Sequence, residues 1–143
     1  MQRQPTRRRF LRDASVLAAA LGLPRIAAAQ SKRTRLILLG TAGGPTPKKA
    51  GAATAHAVVI DDVLYVVDCG NGVGRQLALA NIPIMSLRHV FITHHHSDHN
   101  ADYGNLLSLA WATGLGTRMD TWGPPPLAKM TELFLQMNVA DLD

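Results

Sequence analysis

Val90-Phe91-Ile92-Thr93-His94-His95-His96-Ser97-Asp98-His99 is the stretch on which the reading of this chain turns. It opens with an apolar, β-branched run of the kind that forms a buried strand. It closes with four imidazoles and one carboxylate inside six residues. On an extended chain side chains alternate between faces, so His94, His96 and Asp98 are expected to share one side and His95 to take the other. His99 follows Asp98 at once, where the chain can turn. Imidazole nitrogen and carboxylate oxygen are ligands suited to zinc and similar divalent ions. A plain surface loop has no reason to collect so many, and the cluster reads as a metal site at the end of a strand.

Upstream, Arg35-Leu36-Ile37-Leu38-Leu39 reads as a buried first strand that runs into Gly40-Thr41-Ala42-Gly43-Gly44-Pro45-Thr46-Pro47. Glycine-rich turns can aim N–H groups at phosphate. Here Lys48-Lys49 is followed by Ala50 rather than Ser or Thr, and the nucleotide-loop spacing is absent. The loop is therefore expected at the rim of the metal site. Residues 55–60 and 64–67 read as two further strands joined by a compact turn at Asp61-Asp62. His56, early in its strand, reads as an ordinary polar neighbour. After Asp68-Cys69-Gly70-Asn71-Gly72, the recurrence of Val73, Leu77 and Ala80 predicts a helix that Asn81 and Pro83 end. Residues 90–93 are expected as a fourth strand.

Downstream of the histidines, Leu106, Leu107, Leu109, Ala110 and Trp111 predict an apolar helix stopped near Gly114-Leu115-Gly116. Pro124-Pro125-Pro126 is a stiff turn. Residues 127–137 predict a last helix whose stripe of Leu127, Met130, Leu133, Phe134 and Met137 is expected to pack in the core.

The first 29 residues read as an export signal. Arg7-Arg8-Arg9-Phe10-Leu11-Arg12 is a basic head, residues 14–23 are mildly apolar, and Ala27-Ala28-Ala29 offers a cleavage site. The apolar stretch is too short to span a bilayer, and the paired arginines resemble the twin-arginine signal for folded proteins. The expected form is a domain over residues 30–143, periplasmic or secreted, with the twin-arginine export machinery as a partner. Residues 1–29 hold six arginines against Asp13, so of the 15 basic and 10 acidic residues nine of each remain. A neutral domain without a stacking-aromatic pattern speaks against a nucleic-acid partner. The roughly 114 remaining residues are enough for one domain with a core. Cys69 is the single cysteine, so no internal disulfide is possible, and it reads as a small core residue rather than a nucleophile.

His94-x-His96-x-Asp98-His99 resembles the metal motif of the metallo-β-lactamase superfamily of hydrolases. The glycine-rich loop at Leu39–Pro45, Asp68-Cys69-Gly70, Thr93-His94 and Gly123-Pro124 are similar to the ribonuclease Z and arylsulfatase-like branch. The likeness spans about residues 35–127, and Ser97 stands where that branch often has glycine. The resemblance implies an α/β fold, a four-layer αβ/βα sandwich, of which this chain would supply roughly the first half. It implies two divalent metal ions, most simply zinc, with His94, His96, Asp98 and His99 as ligands. Asp98 is also implied in the reaction itself, and Asp68 in supporting the ligand loop. The family draws a histidine, a bridging aspartate and a last histidine from its second half, and no residue here matches them. The gene is therefore expected to continue past Asp143. The implied activity is metal-assisted ester hydrolysis. Its expected substrate is a small-molecule phosphodiester or sulfate ester. The alternatives are lactone or β-lactam hydrolysis, an inactive truncated metal-binding domain, and a homo-oligomer that completes its sites between chains.

Overall fold

The computed structural model of the chain describes residues 34–46 and 48–142, the side chains of 141 and 142 excepted. The expected export signal, residues 1–29, lies outside the described residues. Five strands form one sheet in the order of the sequence: β1 (Arg35–Gly40), β2 (Ala55–Ile60), β3 (Val63–Val67), β4 (Leu87–Phe91) and β5 (Asp120–Trp122). The first three run antiparallel, whereas β3, β4 and β5 are parallel neighbours. The β2–β3 hairpin turns through Asp61 and Asp62 at φ 48° and 68°. A two-residue turn with both φ positive matches strand twist, and a short polar side chain tolerates that backbone.

Parallel neighbours need crossovers, and helices supply them. Helix α1 (Val73–Leu79), followed by a short 3-10 turn at Ile84–Ser86, leads from β3 to β4. Helices α2 (Ser97–Asn100) and α3 (Tyr103–Ala112) lead from β4 to β5. Helix α4 (Leu127–Met137) and a final turn α5 (Val139–Leu142) follow. The period-two strand pattern puts Ala55, Ala57 and Val59 of β2, Leu64 and Val66 of β3, and Leu87 and Val90 of β4 into the core. Val73 and Leu77 of α1 and Leu106, Leu107 and Ala110 of α3 complete that core. The observed architecture is thus a mixed α/β fold, one sheet with its helices, as expected for part of a four-layer αβ/βα sandwich. On the sheet's other face Leu36, Leu38 and Trp122 are exposed. There Tyr65 stacks on His89 with ring centroids 4.9 Å apart, and His89–Phe91 and Phe91–Trp122 continue the row at 6.4 Å each.

Four local expectations need correction. Strand β1, at the edge of the sheet, is not a buried strand: Leu36 and Leu38 are exposed, and only its end at Leu39 and Gly40 is buried. Strand β4 spans Leu87–Phe91, earlier than residues 90–93, because its pairing with β3 places Tyr65 opposite His89 and Val67 opposite Phe91. The ligand stretch is consequently not extended throughout: it passes through a loop into the single turn α2, so strand parity does not place Asp98, whereas His99 does lie in a turn. Along α4 only Leu127 of the predicted stripe is buried, while Leu133 and Met137 are 51% and 74% exposed. Phe134 sits against the backbone of Gly104, where any Cβ would meet its ring, and Tyr103 Oη lies 2.6 Å from Thr131 Oγ1. Helix α4 therefore docks on the start of α3 by these contacts rather than by the whole stripe.

Candidate functional site

The site stands at the end of the parallel strands, where three backbone exits meet. Beyond Val67 the chain turns at Asp68, whose φ of 62° is left-handed. Its N–H donates to Phe91 O at 2.7 Å, and Ile92 N–H donates to Trp122 O at 2.7 Å. These bonds tie the ends of β3, β4 and β5 together and bring Asp68 under the histidine loop.

Asp68 is the buried charge of the described chain, 3% exposed, and every donor on it comes from the ligand stretch. Thr93 N–H donates to Oδ1 at 2.8 Å, and the Thr93 hydroxyl lies 3.0 and 2.9 Å from Oδ1 and Oδ2. His99 Nδ1 donates to Oδ2 at 2.7 Å. A buried carboxylate needs such partners, and they hold His99 with Nδ1 protonated and Nε2 bearing its lone pair. Thr93 Oγ1 also lies 3.1 Å from His94 Nδ1, and His94 Nε2 lies 3.2 Å from His96 Nδ1. The rings of His94 and His99 are 4.0 Å apart by centroid, and those of His94 and His96 are 4.7 Å apart.

Asp98 lies on α2 beside this group, with Oδ2 3.6 Å from His99 Nε2. The N–H of Gly44 donates to the same Oδ2 at 2.6 Å. That bond above all holds the Asp98 carboxyl below its ordinary value, and His99 and His96 act in the same direction when they are protonated. The glycine-rich loop is thus at the rim of the site, as its composition implied. Between it and α2 is a small cavity of about 90 Å³ lined by Gly44, Thr46, Lys48, Asn71, Ser97 and Asp98.

The loop after β3 is fastened to α2 and α3 at several points. Cys69 N–H donates to His99 O at 2.6 Å, and Asp102 N–H donates to Cys69 O at 2.8 Å. The Asp102 carboxylate accepts from Gly72 N–H at 2.7 Å and from Asn71 Nδ2 at 3.4 Å. A Cβ on Gly70 would collide with the backbone oxygen of Asp98 and the nitrogen of Thr54, so only glycine lets the two segments approach this closely. Cys69 is fully buried, and burial beside Asp68 and Asp102 pushes its thiol pKa far up, which suits a core residue and not a nucleophile.

His95 turns away from the other imidazoles. Its Nε2 lies 2.9 Å from Pro124 O, and Asn100 Nδ2 lies 3.2 Å from its Nδ1. Three contributors were not legible as such. The Gly44 amide is a backbone group without a sequence signal, and Thr93 entered only as the neighbour of His94. Asp102 precedes an apolar helix as a cap would, yet its side chain makes no capping bond and serves the 71–72 loop.

Among the described residues no three or more His, Cys, Asp or Glu side chains are grouped so as to hold a metal ion. His94 Nε2 and His96 Nδ1 lie 3.2 Å apart, within hydrogen-bond distance. In kind the donors do fit a divalent ion, because Asp68 and Thr93 occupy the Nδ1 atoms of His99 and His94 and leave each Nε2 as a donor to metal.

Residues 49–132 match the family model described as the metallo-beta-lactamase superfamily. The chain belongs to that superfamily of hydrolases, within its ribonuclease Z-like branch. It is 33% identical over 105 residues to a ribonuclease Z of Methanothermobacter thermautotrophicus, covering 73% of this chain and 34% of that protein. It is 37% identical over 100 residues to a ribonuclease Z of a Mycobacterium species, covering 68% and 35%. The crystal structure of the short form of human tRNase Z shares the fold with a TM-score of 0.68 at 24% identity, over 73% of this chain and 40% of that one. The chain therefore spans about a third of the length of the curated relatives it matches.

These relatives overturn the expectation that excluded a nucleic-acid partner, since they carry the name ribonuclease Z. The physical reason for the error is that net charge is an average over the chain and says nothing of where charge sits; Lys48, for example, lines the cavity next to Asp98.

Proposed function

We propose that this chain carries the ligand-bearing part of a metal-dependent phosphodiesterase that cleaves RNA, and that the 143-residue chain by itself binds metal without turning over substrate. The observation that carries the reading is the buried Asp68 carboxylate. It accepts from Thr93 and from His99 Nδ1, and so leaves His99 Nε2 unprotonated beside the Asp98 carboxylate. His94, His96, Asp98 and His99 would hold the ion. When bound, a divalent ion supplies Lewis acidity and an activated water for phosphodiester hydrolysis. Asp68 fixes the tautomer and direction of His99, and the Gly44 N–H holds Asp98 ionised and oriented. Lys48, exposed at the cavity, is placed to attract a phosphate. Four side chains make an incomplete set for two ions, and the ribonuclease Z relatives extend well beyond the matched third.

Equilibrium dialysis against zinc with elemental analysis tests the reading, together with assays on a single-stranded RNA and on bis-p-nitrophenyl phosphate. About one zinc per chain, abolished in a His94→Ala, His96→Ala double variant, is expected, with no cleavage of either substrate. Absence of zinc uptake by the folded chain overturns the metal assignment. Cleavage that survives the double variant overturns the assigned ligands, and metal-dependent cleavage overturns the claim that the chain alone is incomplete.

A further inference from the structure

The histidine loop holds an ordered chain of donors. Asp68 is an acceptor when ionised, so the Thr93 hydroxyl spends its single proton on it. Toward His94 Nδ1, 3.1 Å away, that hydroxyl oxygen is then only an acceptor, and the proton of the contact belongs to Nδ1. His94 Nε2 is left unprotonated and accepts in turn from His96 Nδ1 at 3.2 Å. The direction of each bond follows from the one before it, and the series His96, His94, Thr93 ends on the buried carboxylate. An isolated histidine side chain favours the opposite tautomer, with the proton on Nε2, which would block that nitrogen as a ligand.

We infer that Thr93 is a positioning residue of the metal centre: its hydroxyl extends the reach of Asp68 from His99 to His94 and sets the tautomer in which His94 can bind metal. One carboxylate thereby orients two imidazoles, one directly and one through an intervening hydroxyl. Thr93 makes no claim on the core, for it is exposed, so its hydroxyl can be removed without opening a cavity. The inference rests on the metal-binding reading above only for its consequence; the tautomer itself is a property of the metal-free chain.

Thr93→Val removes the hydroxyl at nearly constant shape, and Thr93→Ser retains it. The first measurement is the ring ¹⁵N spectrum of His94 in the metal-free chain at a pH where the ring is neutral. Wild type and Thr93→Ser are expected to show a protonated Nδ1 and an unprotonated Nε2, and Thr93→Val the reverse or a mixture. The second is zinc affinity, expected to fall about tenfold or more in Thr93→Val, the scale of an outer hydrogen-bond partner of a ligand histidine, and to recover in Thr93→Ser. An unchanged His94 tautomer in Thr93→Val overturns the inference. So does a serine variant as impaired as the valine. If wild type takes up no zinc, the proposed function falls while the ¹⁵N comparison still decides the role of Thr93. Should Thr93→Val fail to fold, Thr93→Ala carries the same two measurements.

Discussion

Replacing Asp68 by asparagine separates what this carboxylate does for folding from what it does for the histidines. Asparagine keeps the shape, tolerates the left-handed backbone at φ 62°, and can turn its carbonyl oxygen toward the Thr93 N–H. Its amide then faces His99 Nδ1, which sits 2.7 Å from the present Oδ2. Two N–H groups cannot share that contact, so His99 moves its proton to Nε2 and presents Nδ1 as the acceptor. The loss in stability is the difference between charged and neutral hydrogen bonds, about 1 kcal/mol. The loss in metal affinity is larger in consequence, because the ligand nitrogen is now protonated: about 10- to 100-fold.

Alanine at the same position does the opposite. It orphans the Thr93 amide and the His99 Nδ1–H at about 1 kcal/mol each, the low end for partly hydrated groups. It also adds about 1 kcal/mol for a Cβ without polar compensation at a left-handed backbone. About 3 kcal/mol is a large part of the 5–15 kcal/mol that holds a typical domain. Urea unfolding and zinc titration on both variants are the assays. Asparagine is expected near wild type in unfolding and far from it in zinc binding, whereas alanine is impaired in both. An asparagine variant that binds zinc within about twofold of wild type would refute the tautomer argument. One as unstable as the alanine variant would show that the role of Asp68 is structural.

Asp98→Asn should flatten the acid limb of stability. The Asp98 carboxyl is held below its ordinary value of 3.8, so its contribution is present above that value and is lost as pH falls through the lowered one. Urea midpoints in a pH series should therefore show wild type and variant converging at low pH, and a constant gap would count against the Gly44 bond as the cause. Gly70→Ala should destabilise by about 1–3 kcal/mol, since its methyl group meets backbone atoms of Asp98 and Thr54 that cannot rotate away; a thermal midpoint equal to wild type would contradict the packing described. Leu77→Ala, at a position 1% exposed between α1 and the sheet, should cost about 2–5 kcal/mol in the same assay. Export is proposed from Arg8, Arg9 and the apolar stretch that follows; intact mass of secreted material should show an N-terminus near Gln30, and mature protein that keeps Met1 would refute it.

What could be read from the sequence was what depends on local periodicity and on residue chemistry. The alternation in β2 and β3 and the helical recurrence of Val73, Leu77 and Ala80 are short-range patterns, and they mark the core face correctly. The cluster from His94 to His99 was legible because no structural need concentrates four imidazoles. The misplaced elements were those whose position is decided from a distance. Strand β4 ends at Phe91 and not at Thr93 because Asp68, 25 residues earlier, takes the Thr93 amide for its carboxylate. The stripe on α4 is periodic, but periodicity shows only that a face exists and not what meets it, and here Phe134 docks on Gly104 while Met137 remains exposed.

The site follows the same division. Its ligand types lie in one hexapeptide, yet their protonation and direction come from partners 25 and 31 residues away at Asp68 and 54 away at Gly44. A ligand histidine is useful only with one chosen nitrogen free, and that choice is made by whichever acceptor the fold delivers to the other. The metal chemistry of the hexapeptide is thus latent until β3 ends beside β4 and places a buried carboxylate beneath it. This is why a His-rich motif alone would bind ions loosely as a flexible peptide. The same residues, pinned by Asp68 through Thr93 and His99, become a set whose geometry can be altered from outside the motif.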